Sequence, residues 1–196
     1  MSMAENPTLT GTRVELAPLS PEHAPDLAEA VAVDDLWATW YTSIPAPDQM
    51  EAEIETRLDK QAAGLVAPWA VVDRASGKAV GMTTYLNLVP EHRRLEIGST
   101  WIGRASQRTG LNTEAKLLLL TRAFDVLDCQ AVEFRTHWHN RQSRAAIAGL
   151  GAKQDGVLRN HMVWRDGTLR DTVVFSIVRS EWPTVRLDLS SRVARR

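Results

Sequence analysis

Residues 95–127, LEIGSTWIGRASQRTGLNTEAKLLLLTRAFDVL, decide the fold. The first eight, 95–102, are rich in β-branched and aromatic side chains, which predicts a strand, and Gly98 inside it is a natural place for a bulge. A polar turn over 103–110 follows, and then a leucine-rich helix running to Leu127. On a helical wheel Leu117, Leu119, Leu120, Ala123, Phe124 and Leu127 share a broad face, while Glu114, Thr121, Arg122 and Asp125 share the opposite one. Asn112 or Thr113 is the expected N-cap, and Glu114 falls in the first turn, where a carboxylate suits the helix dipole. The unit is a strand, a glycine-bearing loop, and a helix laid on a sheet.

That arrangement suits an anion. Backbone N–H groups at a helix start have no intrahelical acceptor, and the dipole favours negative charge there. Gly110, lacking Cβ, lets a phosphate oxygen approach the backbone, and Arg108 adds a fixed positive charge. No Gly-Lys-Ser/Thr occurs, so this is not a P-loop, and it lacks the three glycines of a dinucleotide fingerprint. On these residues alone, an ordinary glycine turn feeding a helix remains open.

The remaining chain sets the frame. With 196 residues, 44% hydrophobic and 24% charged, it can bury one good core. A net charge of −1 gives no electrostatic case for nucleic acid or an acidic membrane. No apolar run approaches the ~18 residues of a membrane span, and residues 1–9 lack the apolar segment of a signal peptide. The lone Cys129 precludes an internal disulfide and reads as a buried structural thiol, so a cytoplasmic protein without a bound metal is expected.

Taken in order, residues 1–9 read as a loose N-terminal segment, and 12–19 as a first strand. Ser20-Pro21 starts a helix; 34–48 is irregular and carries Trp37, Trp40 and Tyr41; Asp48 caps a second helix. Residues 68–73 and 79–88 form a hairpin leading into the 95–102 strand. After the long helix, 130–136 alternates as a strand, and a strand–helix–strand crossover requires it to lie parallel to 95–102. A short helix over 141–150 ends at Gly151, a hairpin over 157–164 and 172–178 follows, and 183–196 is expected to be a mobile tail. One parallel crossover among antiparallel strands predicts an α/β (α+β) fold: a mixed, mostly antiparallel sheet with helices on its faces.

Gln107-Arg108-Thr109-Gly110-Leu111-Asn112 resembles the Gln/Arg-x-x-Gly-x-Gly/Ala pyrophosphate loop of the GNAT N-acetyltransferase superfamily, with Asn112 departing from the usual small residue. Thr113-Glu114-Ala115 and the leucines after it are similar to the RimJ/RimL-type branch, as are Asn140-Arg141-Gln142-Ser143 and Gly149-Leu150-Gly151-Ala152. The resemblance covers roughly 10–182, which would be a single N-acetyltransferase domain. It implies a central sheet with a V-shaped splay after the 95–102 strand, into which acetyl-coenzyme A enters.

The resemblance also distributes roles. Gln107, Arg108, Thr109, Gly110, Leu111, Asn112 and Thr113 would hold the pyrophosphate; Trp101, Ile102 and Gly103 would run beside the pantetheine arm, pairing as an added strand does. Asn140 and Ser143, three apart on the short helix, would touch coenzyme A, and Arg141 and Arg144 could meet its 3′-phosphate. Glu96 is the first candidate for the base that neutralises the acceptor amine, ahead of His137 and His139; a structural carboxylate paired with Lys116 or Arg94 is the competing reading. Relatives often carry a tyrosine acid on the short helix; this chain has none there, which leaves Ser143 or a water. Trp37, Trp40 and Tyr41 would wall the acceptor pocket or pack beneath a loop.

The reading is an acetyl-coenzyme A-dependent N-acetyltransferase acting directly on a primary amine, either a protein N-terminus or a small molecule, with a homodimer left open. A non-catalytic acyl-coenzyme A-binding regulatory module and a nucleotide-binding protein are the alternatives.

Overall fold

A computed structural model describes residues 2–195. Eight strands form one sheet in the order β1-β2-β3-β4-β5-β6-β8-β7. They are β1 (Leu9–Thr10), β2 (Val14–Pro18), β3 (Ala67–Asp73), β4 (Ala79–Val89), β5 (Arg94–Ile102), β6 (Ala131–His137), β7 (Lys153–Val163) and β8 (Leu169–Val178). All neighbours are antiparallel except β5 and β6. Five α-helices complete the chain: α1 (Ala24–Ala32), α2 (Met50–Ala62), α3 (Leu111–Thr121), α4 (Arg141–Ala148) and α5 (Trp182–Ala194).

The sheet divides the interior in two. On one face α3 buries Leu111, Ala115, Leu119 and Leu120 against Trp69, Tyr85, Leu95, Ile97, Val132 and Phe134. On the other, α1 and α2 pack Leu27, Val31 and Ile54 against Ala70, Met82 and Trp101. The alternation of each strand dictates the split, since successive side chains point to opposite faces.

Two bulges decide how β5 meets its neighbours. Thr84 pairs with Gly98 and Met82 with Trp101, so Ser99 and Thr100 together face Thr83, and Ser99 takes φ 46. The bulge therefore sits one residue beyond Gly98. Leu86 pairs with Glu96 and Val89 with Arg94, so β4 carries a second bulge, where Asn87 takes φ 49. The parallel β5–β6 ladder comprises only Arg94–Ala131, Leu95–Val132 and Glu96–Glu133. Beyond Glu96 the two strands part, leaving the V between residues 97–102 and the upper half of β6.

Several expectations are corrected. Gly110, at φ 101, is the N-cap of α3 in place of Asn112 or Thr113. The long helix stops being α-helical at Thr121 and continues as a π turn, Arg122–Val126. Glu114 and Arg122 are buried because β2, the N-terminal segment and α5 cover the side of α3 that the helical wheel leaves polar, and Lys116 is buried because it turns onto the sheet at Thr83 and Thr100. Glu114 accepts three backbone N–H bonds, from Thr12 (2.6 Å), Arg13 (2.9 Å) and Val14 (3.2 Å). The segment before β1 is packed, not loose: Met3 is buried, Asn6 Nδ2 donates to the Pro68 carbonyl, and Pro7 accepts from Trp69 Nε1. The tail is likewise ordered into α5, whose Trp182, Val185 and Leu189 are buried, with Trp182 stacked on Phe124 at 5.2 Å. Helix α4 ends at Gly149, with Gly151 in the turn beyond, and α2 is led in by a 3-10 turn, Pro47–Gln49, without a side-chain cap from Asp48.

Candidate active site

The loop between β5 and α3 begins with a 3-10 turn, Arg104–Ser106, and ends with Arg108 (φ 63) and Gly110 (φ 101), both left-handed. Gly110 is the residue this turn needs, since a side chain at that φ is strained. The first intrahelical donor is Glu114 N–H, bonded to the Gly110 carbonyl, so the N–H groups of Leu111, Asn112 and Thr113 precede the ladder and point out of the helix start. Arg13 and Arg192 line a small cleft with Gly110, Thr113 and the Glu114 carboxylate, and Arg192 is engaged by Asp188 and the Gly149 carbonyl. Neither arginine carries a motif, which is why the sequence passes over them. The left-handed turn and the open N–H groups fit a polyphosphate.

Side chains of the loop have structural work of their own. Gln107 Nε2 donates to the Ile102 carbonyl (2.9 Å), and its Oε1 accepts from Gln142 (3.2 Å), so Gln107 ties the end of β5 to α4 across the mouth of the V. Thr109 Oγ1 donates to the Ser106 carbonyl. Trp101 is buried in the α1–α2 core, and Ile102 in the α3 core. Gly103 N–H is bonded to the Val80 carbonyl, so it is not available to a pantetheine amide. Asn140 caps α4, accepting from Ser143 N–H at 2.9 Å, which leaves its Nδ2 and the Ser143 hydroxyl at the start of that helix.

Glu96 occupies the floor of the V, at the last rung before β5 and β6 part. It is buried, and burial raises its carboxyl above the ordinary range, opposed by Asn87 and Arg135. Asn87 Nδ2 donates to Oε2 at 2.7 Å, delivered by the β4 bulge, and Arg135 lies 3.5 Å away. Gly98 leaves space for it: a Cβ there would stand 2.8 Å from Glu96 Oε1. The competing pairing is not formed. Lys116 lies on the opposite face with Thr83 and Thr100, and Arg94 pairs with Glu133.

Above Glu96 the same sheet face carries Arg135 and His137 of β6 and Thr172 of β8, because His137 and Thr172 are paired and residues two apart share a face. His137 is buried, and its Nδ1 accepts the His139 N–H at 3.1 Å. The neutral ring then carries its proton on Nε2, an atom buried with no hydrogen-bond partner among the described residues. Burial and the nearby Arg170 lower its basicity. His137 is therefore a donor at this position, which leaves Glu96 as the stronger base candidate of the two.

The aromatic connection closes this face. Trp40 stands edge-on to His137 (5.2 Å) and to Tyr41 (5.3 Å), and lies 5.6 Å from His139. Trp164 Nε1 donates to the Trp40 carbonyl at 2.7 Å, pinning the connection to the β7–β8 hairpin. Trp37 lies partly exposed on the 3-10 segment, Val33–Ala38. Cys129 is buried before the start of β6, a whole strand from His137 or roughly 20 Å at strand rise, and burial pushes its thiol up to about 11. It is no nucleophile for this site.

A sheet with one parallel pair, split above it, and a helix start with open N–H groups beside the split make up the architecture of an acetyltransferase. The model of the acetyltransferase (GNAT) domain family matches residues 13–153, and the chain belongs to that family. A GCN5-related N-acetyltransferase from Brucella melitensis superposes with a TM-score of 0.86 at 34% identity, over 96% of this chain and 86% of that one. Mycobacterium smegmatis RimJ, solved in complex with CoA-disulfide, shares the fold at a TM-score of 0.81 and 21% identity, over 98% of each chain. The protein named "Putative ribosomal N-acetyltransferase YdaF" of Bacillus subtilis (strain 168) is 31% identical over 106 residues, so the match spans 54% of this chain and 57% of that relative. Among the described residues no helix is long and apolar enough to cross a membrane, and no cluster of three or more His, Cys, Asp or Glu could hold a metal ion.

Proposed function

We propose that the protein transfers an acetyl group from acetyl-coenzyme A directly to a primary amine, of a protein N-terminus or a small molecule. The observation that carries this is Glu96: a buried carboxylate of raised basicity, at the floor of the V and on its open face. Coenzyme A, when bound, supplies the activated acetyl thioester. Residues 107–113 bind its pyrophosphate; Trp101 and Ile102 flank the pantetheine arm; Asn140 Nδ2 and Ser143 contact it from α4.

An aliphatic amine is mostly protonated at neutral pH and must lose a proton to attack. Glu96 accepts that proton, directly or through a water, and Arg135 and Asn87 keep the resulting carboxyl group oriented. The hydrogen bond from Asn87 and the charge of Arg135 oppose the rise that burial imposes on the Glu96 carboxyl. Ser143, or a water, is the proton source for the departing thiolate. The aromatic wall of Trp37, Trp40 and Tyr41 holds the acceptor against Glu96. The names of the ribosomal acetyltransferase relatives favour a protein N-terminus as one acceptor class.

Two measurements separate this reading from its alternatives. Calorimetric titration should give acetyl-coenzyme A binding and no ATP binding, and thioester consumption should require an added amine. Binding without consumption across a broad amine library would instead identify an acyl-coenzyme A-binding module.

A further inference from the structure

Arg170 lies on the acceptor face, and the proposed transfer does not use its chemistry. It is half-buried on β8, two residues from Thr172 and so on the face that carries His137 and, further down, Glu96. Its Nε donates to Thr172 Oγ1 at 3.1 Å, and its guanidinium lies over the Trp164 ring, 4.8 Å from the centroid. These two contacts hold the planar group still. They leave both Nη groups without a protein acceptor, and no carboxylate among the described residues lies within ion-pair distance.

The neighbouring charges are already matched. Glu133 pairs with Arg94 and Arg135, Glu96 lies against Arg135, and Asp171 pairs with Arg159 at 2.8 Å. Arg170 has Glu96 as a charged neighbour but no carboxylate among the described residues within ion-pair distance, so its guanidinium is left unpaired at the mouth of the site. Beside it stands a second unmet donor, the buried Nε2–H of His137. A fixed guanidinium fork matches a carboxylate with two parallel hydrogen bonds, and a desolvated cation gains most from such a partner.

We propose that the amine acceptor also carries a carboxylate, held by the Nη groups of Arg170 with His137 Nε2–H beside them, while its amino group lies toward Glu96. This rests on the amine-transfer reading and specifies its substrate. Two sources offer that chemistry: the α-carboxylate of a free amino acid, and an acidic side chain on the first residue of a peptide.

The test uses matched acceptors differing only in the carboxylate: alanine against alaninamide, and the peptide amide Glu-Ala-Ala against Gln-Ala-Ala. Wild type should favour the acid of at least one pair, and that pair identifies the source. Arg170→Met should raise KM for that acid roughly 10- to 100-fold, the range of one or two charged hydrogen bonds, and leave the amide's constants unchanged. Arg170→Lys, which keeps the charge and loses the fork, should fall between. Equal use of acid and amide in both pairs by wild type, or an equal loss for both in Arg170→Met, overturns the proposal. If wild type acetylates no amine, the transfer reading fails, and melting temperatures decide the carboxylate site separately. A rise with an acid but not its amide, absent in Arg170→Met, supports it; no acid-specific rise overturns it.

Discussion

Lys116 Nζ lies 2.7 Å from Thr100 Oγ1 and 3.1 Å from Thr83 Oγ1, and those hydroxyls are 2.8 Å from each other. The triangle joins α3 to the β5 bulge at the edge of the V. Lys116 is buried, and burial alone, unopposed by any acidic neighbour, lowers its amine to about 7. The unfolded chain holds that proton up to about 10.4. Folding therefore releases the proton between those values, and stability from this group is present at high pH and lost as pH falls toward 7. Lys116→Met leaves the two threonines bonded to each other. It should gain on wild type by several kcal/mol near pH 6–7, of the order of 4, and by little near pH 10.5. Unfolding free energies of both proteins across that range check this; a difference constant with pH contradicts it.

Glu114 should prove essential to the fold. It is the acceptor for three consecutive backbone N–H groups leading into β2. Glu114→Ala leaves them without that acceptor, the Val14 N–H buried and the other two part-buried, at about 1–3 kcal/mol for each donor left unmet. A loss of about 3 kcal/mol or more is expected in urea unfolding, and a loss under 1 kcal/mol would mean that water replaces the carboxylate.

Gly110→Val separates phosphate binding from turn geometry. At φ 101 a β-branched residue costs on the order of 1–3 kcal/mol of stability. Its side chain also projects beside the open N–H groups of residues 111–113, so the folded variant should bind acetyl-coenzyme A about 10- to 100-fold more weakly. Calorimetry well below its melting temperature measures the second effect alone. A folded variant with wild-type affinity would mean that the loop does not cradle phosphate.

The antiparallel run from 68 to 102, the parallel crossover and the last hairpin were legible because local periodicity encodes them. The burial of Glu114, Lys116 and Arg122 was not. A helical wheel assigns polar residues to water, and only the tertiary arrangement reveals that β2, the N-terminal segment and α5 cover Glu114 and Arg122, while Lys116 turns onto the sheet at Thr83 and Thr100. The π turn at Arg122–Val126 adds to this, since it rotates the last turn out of the register that a 3.6-residue period assumes. Arg170 has no signal either, being a single polar residue on a strand, and His137 is marked in the sequence only as a candidate base, not as a donor. What makes them notable is the register that sets His137 opposite Thr172 and the absence of ligands for their donors.

The assignment of Glu96 as the base is tested most directly by the pH dependence of kcat/KM for wild type and Glu96→Gln. Burial raises the Glu96 carboxyl, so wild-type activity should climb with pH through an ionisation above the usual carboxylate range, as the proton leaves Glu96. Glu96→Gln keeps the size and the contact with Asn87. It should lose that limb of the profile and about 10²–10⁴ in kcat, with the dissociation constant of acetyl-coenzyme A unchanged. A Glu96→Gln enzyme with near-wild-type kcat and the same acid limb would contradict the account, and another group would have to take the proton.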